Sequence, residues 1–459
     1  MTYTTDSQQA AIALVPLDKD QFVNWKSEAS GSRLRWVESS GFMSGAGEIC
    51  VLPGADGGIE ACLFGTNDKG SLYQLAALPG KLPEGTYRLD SDWDADKRAQ
   101  ASLGWGLGTY RFDRYKKDNN TKTCSLVLDE DIADRVKSLA EAQYLVRDLV
   151  NTPTEDLGPQ QLEDAVSEVA KRFDAECKSI SGDDLLSSNF PAIHAVGRAS
   201  TRPPRLIELT WGKRDAPIVV LVGKGVCFDT GGLNLKPTAG MALMKKDMGG
   251  AAHALGVAQL VMAHNLPVRL KLLIPAVENS VSGNAYRPGD VIPTRKGLTV
   301  EIGNTDAEGR VILSDALTYA SEMEPEVIID FATLTGAARV GMGTDLPPLF
   351  SNDSSLSSGI QAAGDACEDP LWTLPLWQPY KDLIKSNIAD ISNNARTSFG
   401  GAITAALFLE HFVDSDDSWA HIDTFAWNQT SRPGRPEGGE ALSLRAVFAY
   451  LEKKFVATG

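Results

Sequence analysis

Residues 217–237 read PIVVLVGKGVCFDTGGLNLKP. The apolar run through Gly223 suits a strand covered on both faces. It leads directly into a glycine-rich turn carrying Lys224, Asp229 and Lys236. In open α/β sheets, ligands sit outside the carboxyl ends of strands, where this turn should fall. Gly223, Gly225, Gly231 and Gly232 permit close backbone approach and unusual φ angles. A phosphate loop is one reading, but Lys224 lacks the G-x-x-x-x-G-K-[ST] context. A plain turn with surface charges is the other.

Further apolar runs follow: VRLKLLIPAV (268–277), LTVEIG (298–303) and EVIIDFATL (326–334). Helical patterns separate or follow them at 249–265, 309–323, 402–413 and 441–455. This alternation predicts a mostly parallel or mixed sheet with helices on both sides. The serine-rich SNDSSLSSG (351–359) reads as a surface loop. In the first third, AAIALVPL (10–17), GEICVLPG (47–54), EACLFG (60–65) and TCSLVLDE (123–130) read as strands. DADKRAQASLGWGLGTYRF (94–112) reads as a helix before its glycines. The stretch 130–151 has apolar residues at three- and four-residue steps and stops at Asn151-Thr152-Pro153. The expected fold is therefore α/β throughout. A small N-terminal domain spans residues 1–130, a linking helix 131–151, and a larger C-terminal domain with a mixed sheet flanked by helices 152–459.

Composition limits the function. The chain has 459 residues, more than one ordinary core accommodates. Its mean hydropathy of −0.16 is that of a globular protein. The formal net charge of −16 argues against nucleic acid or an anionic membrane as a default partner. No stretch reaches the ~20 apolar residues that span a bilayer, and the N-terminus lacks a secretory signal, so a cytoplasmic location is expected. The six cysteines contain no C-x-x-C pair and read as reduced, buried hydrophobes. The five histidines show no H-E-x-x-H spacing, so any metal ligands should mostly not be imidazoles.

Two more segments carry chemistry. In MALMKKDMGGAAHALG (241–256), Asp247 precedes Gly249-Gly250 and a long apolar helix. It reads either as a helix-dipole carboxylate or as a site residue. In EIGNTDAEGRVILSDAL (301–317), Asp306, Glu308 and Arg310 are spaced by two. On an extended strand they would face one side. The competing reading is an N-capping turn, with Asp306 or Thr305 as cap and Glu308 in the first turn. Asp229, Asp247, Asp306 and Glu308 together with one lysine make a plausible site for two divalent cations. Such a carboxylate cluster is costly without cations. Lys236 and Arg310 remain as cations for developing negative charge. The residues alone reach metal-assisted hydrolysis, with an ion-pair network as the alternative.

NTDAEGR (304–310) resembles the signature of the leucyl aminopeptidase, or cytosol aminopeptidase, family of dinuclear-metal exopeptidases. VGKGVCFDTGG is similar to that family's VGKG-x-TFDSGG, with Cys227 and Thr230 as departures. MKKDMGGAA (244–252), RDLVNTP (147–153) and ATLTGA (332–337) fit as well. The resemblance covers residues 140–459 approximately. It implies that Lys224, Asp229, Asp247 and Glu308 hold one metal, and Asp229, Asp306 and Glu308 the other. It also implies Lys236 as the oxyanion stabiliser and Arg310 as the anchor of a bicarbonate general base. Met244, Thr333 and Gly336 would surround the N-terminal side chain, and the Leu334 carbonyl would receive the substrate's amine. The implied cofactors are two divalent ions, manganese, zinc or magnesium, with bicarbonate. The implied substrates are peptides with a free N-terminus, and the implied assembly is a homohexamer. Rival readings are another two-metal hydrolase such as a phosphatase, a secondary nucleic-acid-binding role, and a structural member without activity. The last predicts a lost ligand, and all five ligand positions are filled.

Overall fold

The computed structural model describes residues 2–6, 9–29, 31–67, 70–116 and 123–456. The chain divides into two compact units, Met1–Glu141 with Thr430–Glu437, and Ala142–Gln429 with Gly438–Gly459. The expected linking helix runs Glu130–Asn151, and the division falls inside it rather than at its ends. The return of segment 430–437 to the first unit has no signal in the local sequence.

The first unit contains β1 (Tyr3–Thr4), β2 (Ile12–Leu17), β3 (Ile49–Pro53), β4 (Ile59–Gly65), β5 (Gly85–Leu89) and β6 (Cys124–Val127). They form one sheet in the order β1-β6-β5-β2-β4-β3. Pro16 is tolerated in β2 because β5 pairs only with Ile12–Leu14, so no partner on that side needs its missing N–H. The helix Ala95–Thr109 runs through its glycines instead of stopping before them. A Cβ at Gly104 or Gly108 would overlap the carbonyl oxygen of Leu72 or Ala76, so these glycines are contact surfaces.

The second unit contains β7 (Glu176–Ser181), β8 (Arg205–Trp211), β9 (Ile218–Gly223), β10 (Gly225–Asp229), β11 (Arg269–Asn279), β12 (Val291–Pro293), β13 (Thr299–Glu301), β14 (Val327–Ala332), β15 (Pro348–Ser351), β16 (Trp372–Thr373), β17 (Ile391–Ser392) and β18 (Trp419–Asp423). Its main sheet is mixed and follows β16-β15-β18-β14-β9-β11-β8-β7, with β10 also on β11. β14, β9 and β11 are parallel neighbours, and β8 runs antiparallel to β11. Val219 to Val222 are fully buried, as a strand covered on both faces requires. LTVEIG is not a central strand: β13 pairs with β12 and β17 in a separate three-stranded sheet. The serine-rich stretch is not a loop either. Asp353 accepts from the N–H groups of Ser355 and Leu356 and starts the helix Ser354–Ala366, which buries Leu356 and Ile360.

The long β11 pairs with β9 over its first half and β10 over its second. β9 and β10 therefore form one ribbon, interrupted at Lys224. The helix Gly249–Ala263 packs close beneath it. A Cβ at Gly223 would lie 2.5 Å from Ala251 Cα, and one at Gly250 would overlap the Phe331 carbonyl oxygen. Gly250→Ala should therefore destabilise the protein by about 2 kcal/mol or more. Better helix propensity would offset only ~1 kcal/mol. Denaturant midpoints measure this; an unchanged or higher midpoint would contradict the close packing. Among the described residues, no helix is long and apolar enough to cross a membrane. All six cysteines are free thiols. Cys177 and Cys367 are only half-buried, not buried as expected.

Candidate metal centre

The site lies where β9, β10, β14 and β18 end. Lys224 leaves the ribbon between β9 and β10, held by Lys224 N–H to Phe331 O at 3.0 Å and Ala251 N–H to Lys224 O at 2.9 Å. Its buried Nζ donates to Thr333 O at 2.9 Å and pairs with Asp247 Oδ2 at 2.7 Å and Glu308 Oε1 at 3.0 Å. Asp229 ends β10. Its Oδ1 accepts from Gly231 N–H and Asn279 Nδ2, each at 2.8 Å, and its Oδ2 pairs with Lys236 at 2.8 Å. Gly231 and Gly232, at φ +86° and +61°, turn the chain back toward Lys236.

Asp247 sits in the 3₁₀ turn Met244–Met248, one turn ahead of the long helix, and Thr333 Oγ1 donates to its Oδ1 at 2.8 Å. Asp306, Glu308 and Arg310 do not lie on a strand, contrary to the spacing argument. β13 ends at Glu301, residues 302–307 form a turn, and a helix starts at Glu308. The capping alternative holds only in part: Glu308 is in the first turn, but the N-cap is Ala307 and no side chain caps it. The turn is fixed instead through Thr305. Its Oγ1 donates to Gly231 O at 2.6 Å, and its carbonyl accepts from Asn279 Nδ2 at 3.0 Å and Tyr286 OH at 2.6 Å. Arg310 Nη1 donates to Asn393 O at 3.0 Å, while its buried Nε makes no hydrogen bond.

Carboxylate oxygens of Asp229, Asp306 and Glu308 lie within 4.8 Å of one another. Both Glu308 oxygens, Asp306 Oδ1 and Asp247 Oδ2 are buried and accept no hydrogen bond from a neutral group. Only the Lys224 and Lys236 ammonium groups face them, Lys236 at 2.5 Å from Asp306 Oδ1. Burial, then the Asp229 charge, pushes the Glu308 carboxyl well above its ordinary range. Burial alone would pull Lys224 down, but Asp247, Glu308 and Asp229 outweigh it and hold its ammonium raised. Four acids share two ammonium groups, and Glu308 Oε2 has no hydrogen-bond partner among the described residues, so the cluster keeps oxygen donors to spare. That donor set fits hard divalent cations.

A cavity of about 510 Å³ opens above this floor. Lys224, Asp229, Lys236, Met244, Asp247, Asp306, Arg310, Thr333, Leu334 and Gly336 line it, while Glu308 lies buried behind them. Sequence reading missed Asn279, Asn393 and Asp423. Asp423, at the end of β18, accepts from Leu334 N–H at 2.9 Å, Thr335 N–H at 3.2 Å and Thr335 Oγ1 at 2.7 Å, and so holds the turn after β14.

Known proteins share the sequence and fold of both units. Residues 144–448 match the model of the cytosol aminopeptidase family's catalytic domain, and residues 12–129 that of the M17 aminopeptidase N-terminal domain. A probable cytosol aminopeptidase of Chlorobium limicola is 37% identical, with 90% of each chain covered. The crystal structure of cytosol aminopeptidase from Coxiella burnetii superposes with a TM-score of 0.96 at 49% identity, over 99% of each chain. The bottromycin maturation enzyme BotP in complex with Mn gives a TM-score of 0.87 at 33% identity, over 97% of this chain and 100% of that one. With both domains matched and the fold shared over nearly its whole length, this chain belongs to the cytosol aminopeptidase family of metal-dependent exopeptidases.

Proposed function

We propose that the chain releases N-terminal amino acids from peptides bearing a free α-amine, using two divalent ions. Lys224, Asp229, Asp247 and Glu308 would hold one ion, and Asp229, Asp306 and Glu308 the other. The carrying observation is the set of buried carboxylate oxygens at the floor of the cavity that only two lysine ammonium groups face. Such ions, when bound, polarise a carbonyl and make a water nucleophilic near neutral pH. Manganese, zinc and magnesium all suit the donors, and the relative solved with Mn supports manganese.

The chain's own groups would do the rest. Lys224 can be a ligand only when neutral, so loading must expel its proton from Nζ. Lys236 stands on the cavity wall as a fixed cation for the oxyanion of the tetrahedral state. Arg310 has one donor fixed on Asn393 and would anchor a bicarbonate as general base. Met244, Thr333 and Gly336 would flank the N-terminal side chain. The Leu334 carbonyl, on the turn that Asp423 fixes, would receive the amine. A cytoplasmic location and a homohexamer belong to the same proposal; relatives named for the cytosol support the first, and the resemblance the second.

Manganese-loaded protein should release the first residue of an unblocked tripeptide, and a chelator should stop release. The N-acetylated peptide should react at least about 10³-fold more slowly, because the amine supplies binding realised at the reacting centre. Equal rates on both peptides would sink the amine-directed reading.

A further inference from the structure

Lys246 is a buried cation that the proposed mechanism leaves unused. It is 5% exposed and lines the cavity. Among the described residues its ammonium makes no hydrogen bond and no contact ion pair; it lies 4.8 Å from the centroid of the Phe425 ring. Arg339, on the helix Gly336–Met342, lies over the same ring at 5.1 Å and also lines the cavity. The preceding Lys245 points elsewhere, donating to Asn151 O at 2.6 Å.

The nearby acids are engaged with other groups. Asp423 accepts three hydrogen bonds from Leu334 and Thr335, and Asp247 faces Lys224 and Thr333. A buried ammonium without a contact anion is costly, and a cation–π contact offsets only part of that. The missing anion is then supplied by what enters the cavity. Lys246 belongs to the same turn as Met244 and Asp247, beside Thr333 and Gly336. This is where the side chain of a substrate's first residue would lie.

We infer that this pocket selects N-terminal residues with acidic side chains, aspartate or glutamate. The substrate carboxylate pairs with Lys246, and Arg339 at the exposed edge adds attraction. The inference rests on the aminopeptidase reading for the placement of the substrate. An apolar side chain would leave Lys246 desolvated and unpaired, which is how polar sites reject analogues lacking the matching group. A charge-assisted bond in a buried site should give a preference of about tenfold or more.

The test uses manganese-loaded full-length protein and tripeptides differing only in their first residue. Expected is a kcat/KM for N-terminal Glu or Asp at least about tenfold above that for Gln, Asn or Leu, with N-terminal Lys poorest. Lys246→Met should erase the Glu-over-Gln ratio, Lys246→Glu should move the preference to N-terminal Lys, and the exposed Arg339→Ala should reduce the ratio partly. Calorimetric titration with L-glutamate, L-glutamine and L-leucine supplies a readout independent of turnover. Cleavage with equal rates for Glu and Gln would overturn the inference and leave the aminopeptidase reading standing. No cleavage of any peptide, with glutamate still bound tenfold tighter than glutamine in a Lys246-dependent way, would sink the aminopeptidase reading and keep the acidic pocket. Neither cleavage nor glutamate selectivity would overturn both.

Discussion

Glu308→Gln is expected to lower kcat/KM by about 10³-fold or more while leaving the protein folded. The loss follows from position. Glu308 is the one carboxylate assigned to both ions whose two oxygens are buried with no partner but the Lys224 ammonium among the described residues. An amide offers one neutral oxygen instead of two anionic ones, so both ion positions weaken together. The stability effect runs the other way in metal-stripped protein. Burial and the neighbouring Asp229 raise the folded Glu308 pKa above its ordinary value. The folded state therefore keeps a proton that the unfolded chain releases, and stability falls as pH rises between those two values. Glutamine removes that dependence. Without metal, the variant should melt higher than the parent, by a margin that widens with pH across that window and then holds. Activity assays with thermal melts in chelator separate the effects. A variant of full activity, or one that melts lower at every pH, would contradict the assignment.

Lys236→Met should reduce kcat by about 10²- to 10³-fold with KM changing little, the size expected on removing one preorganised oxyanion group. Lys236 has a structural alternative, because it pairs with Asp229 and Asp306 and helps neutralise them. If neutralisation were its whole role, methionine would change metal content and affinity while the loaded enzyme kept its rate. Metal content by elemental analysis at matched loading decides between the two. A fully loaded variant of normal kcat would remove Lys236 from the chemistry.

Much of the second unit's sheet was legible because β9, β11 and β14 are continuous apolar runs, which central strands require. The same rule misplaced LTVEIG: its apolar run reports the burial of Val300 and Ile302, and β13 belongs to a different sheet. The helix after Asp353 was missed because serine was weighed as a loop former. Its cap and the buried pair Leu356 and Ile360, four residues apart, were readable signals. For the site, most of the charged residues at the cavity, Asp423 and Lys246 excepted, were singled out by their chemistry even though the strand geometry invoked for Asp306, Glu308 and Arg310 was wrong. Asn279 and Asn393 were invisible for a different reason, and Thr305 was weighed only as a helix cap. They act through neutral amides and a hydroxyl, so no charge pattern marks them, and their partners lie 26 to 90 residues away in sequence. Lys246 was quoted within its motif but passed over, since only burial separates it from Lys245.

The fastening of Thr305 to Gly231, Asn279 and Tyr286 would set the tempo of metal loading at the proposed site. Asp306 and Glu308 are tied through it to the end of the longest strand, so they cannot swing open as a loop would. If the proposed ligands hold ions, those ions would enter and leave through the mouth of the cavity, one ligand exchange at a time. Loading would then be slow and stepwise, and a seated metal would be retained kinetically as well as by affinity.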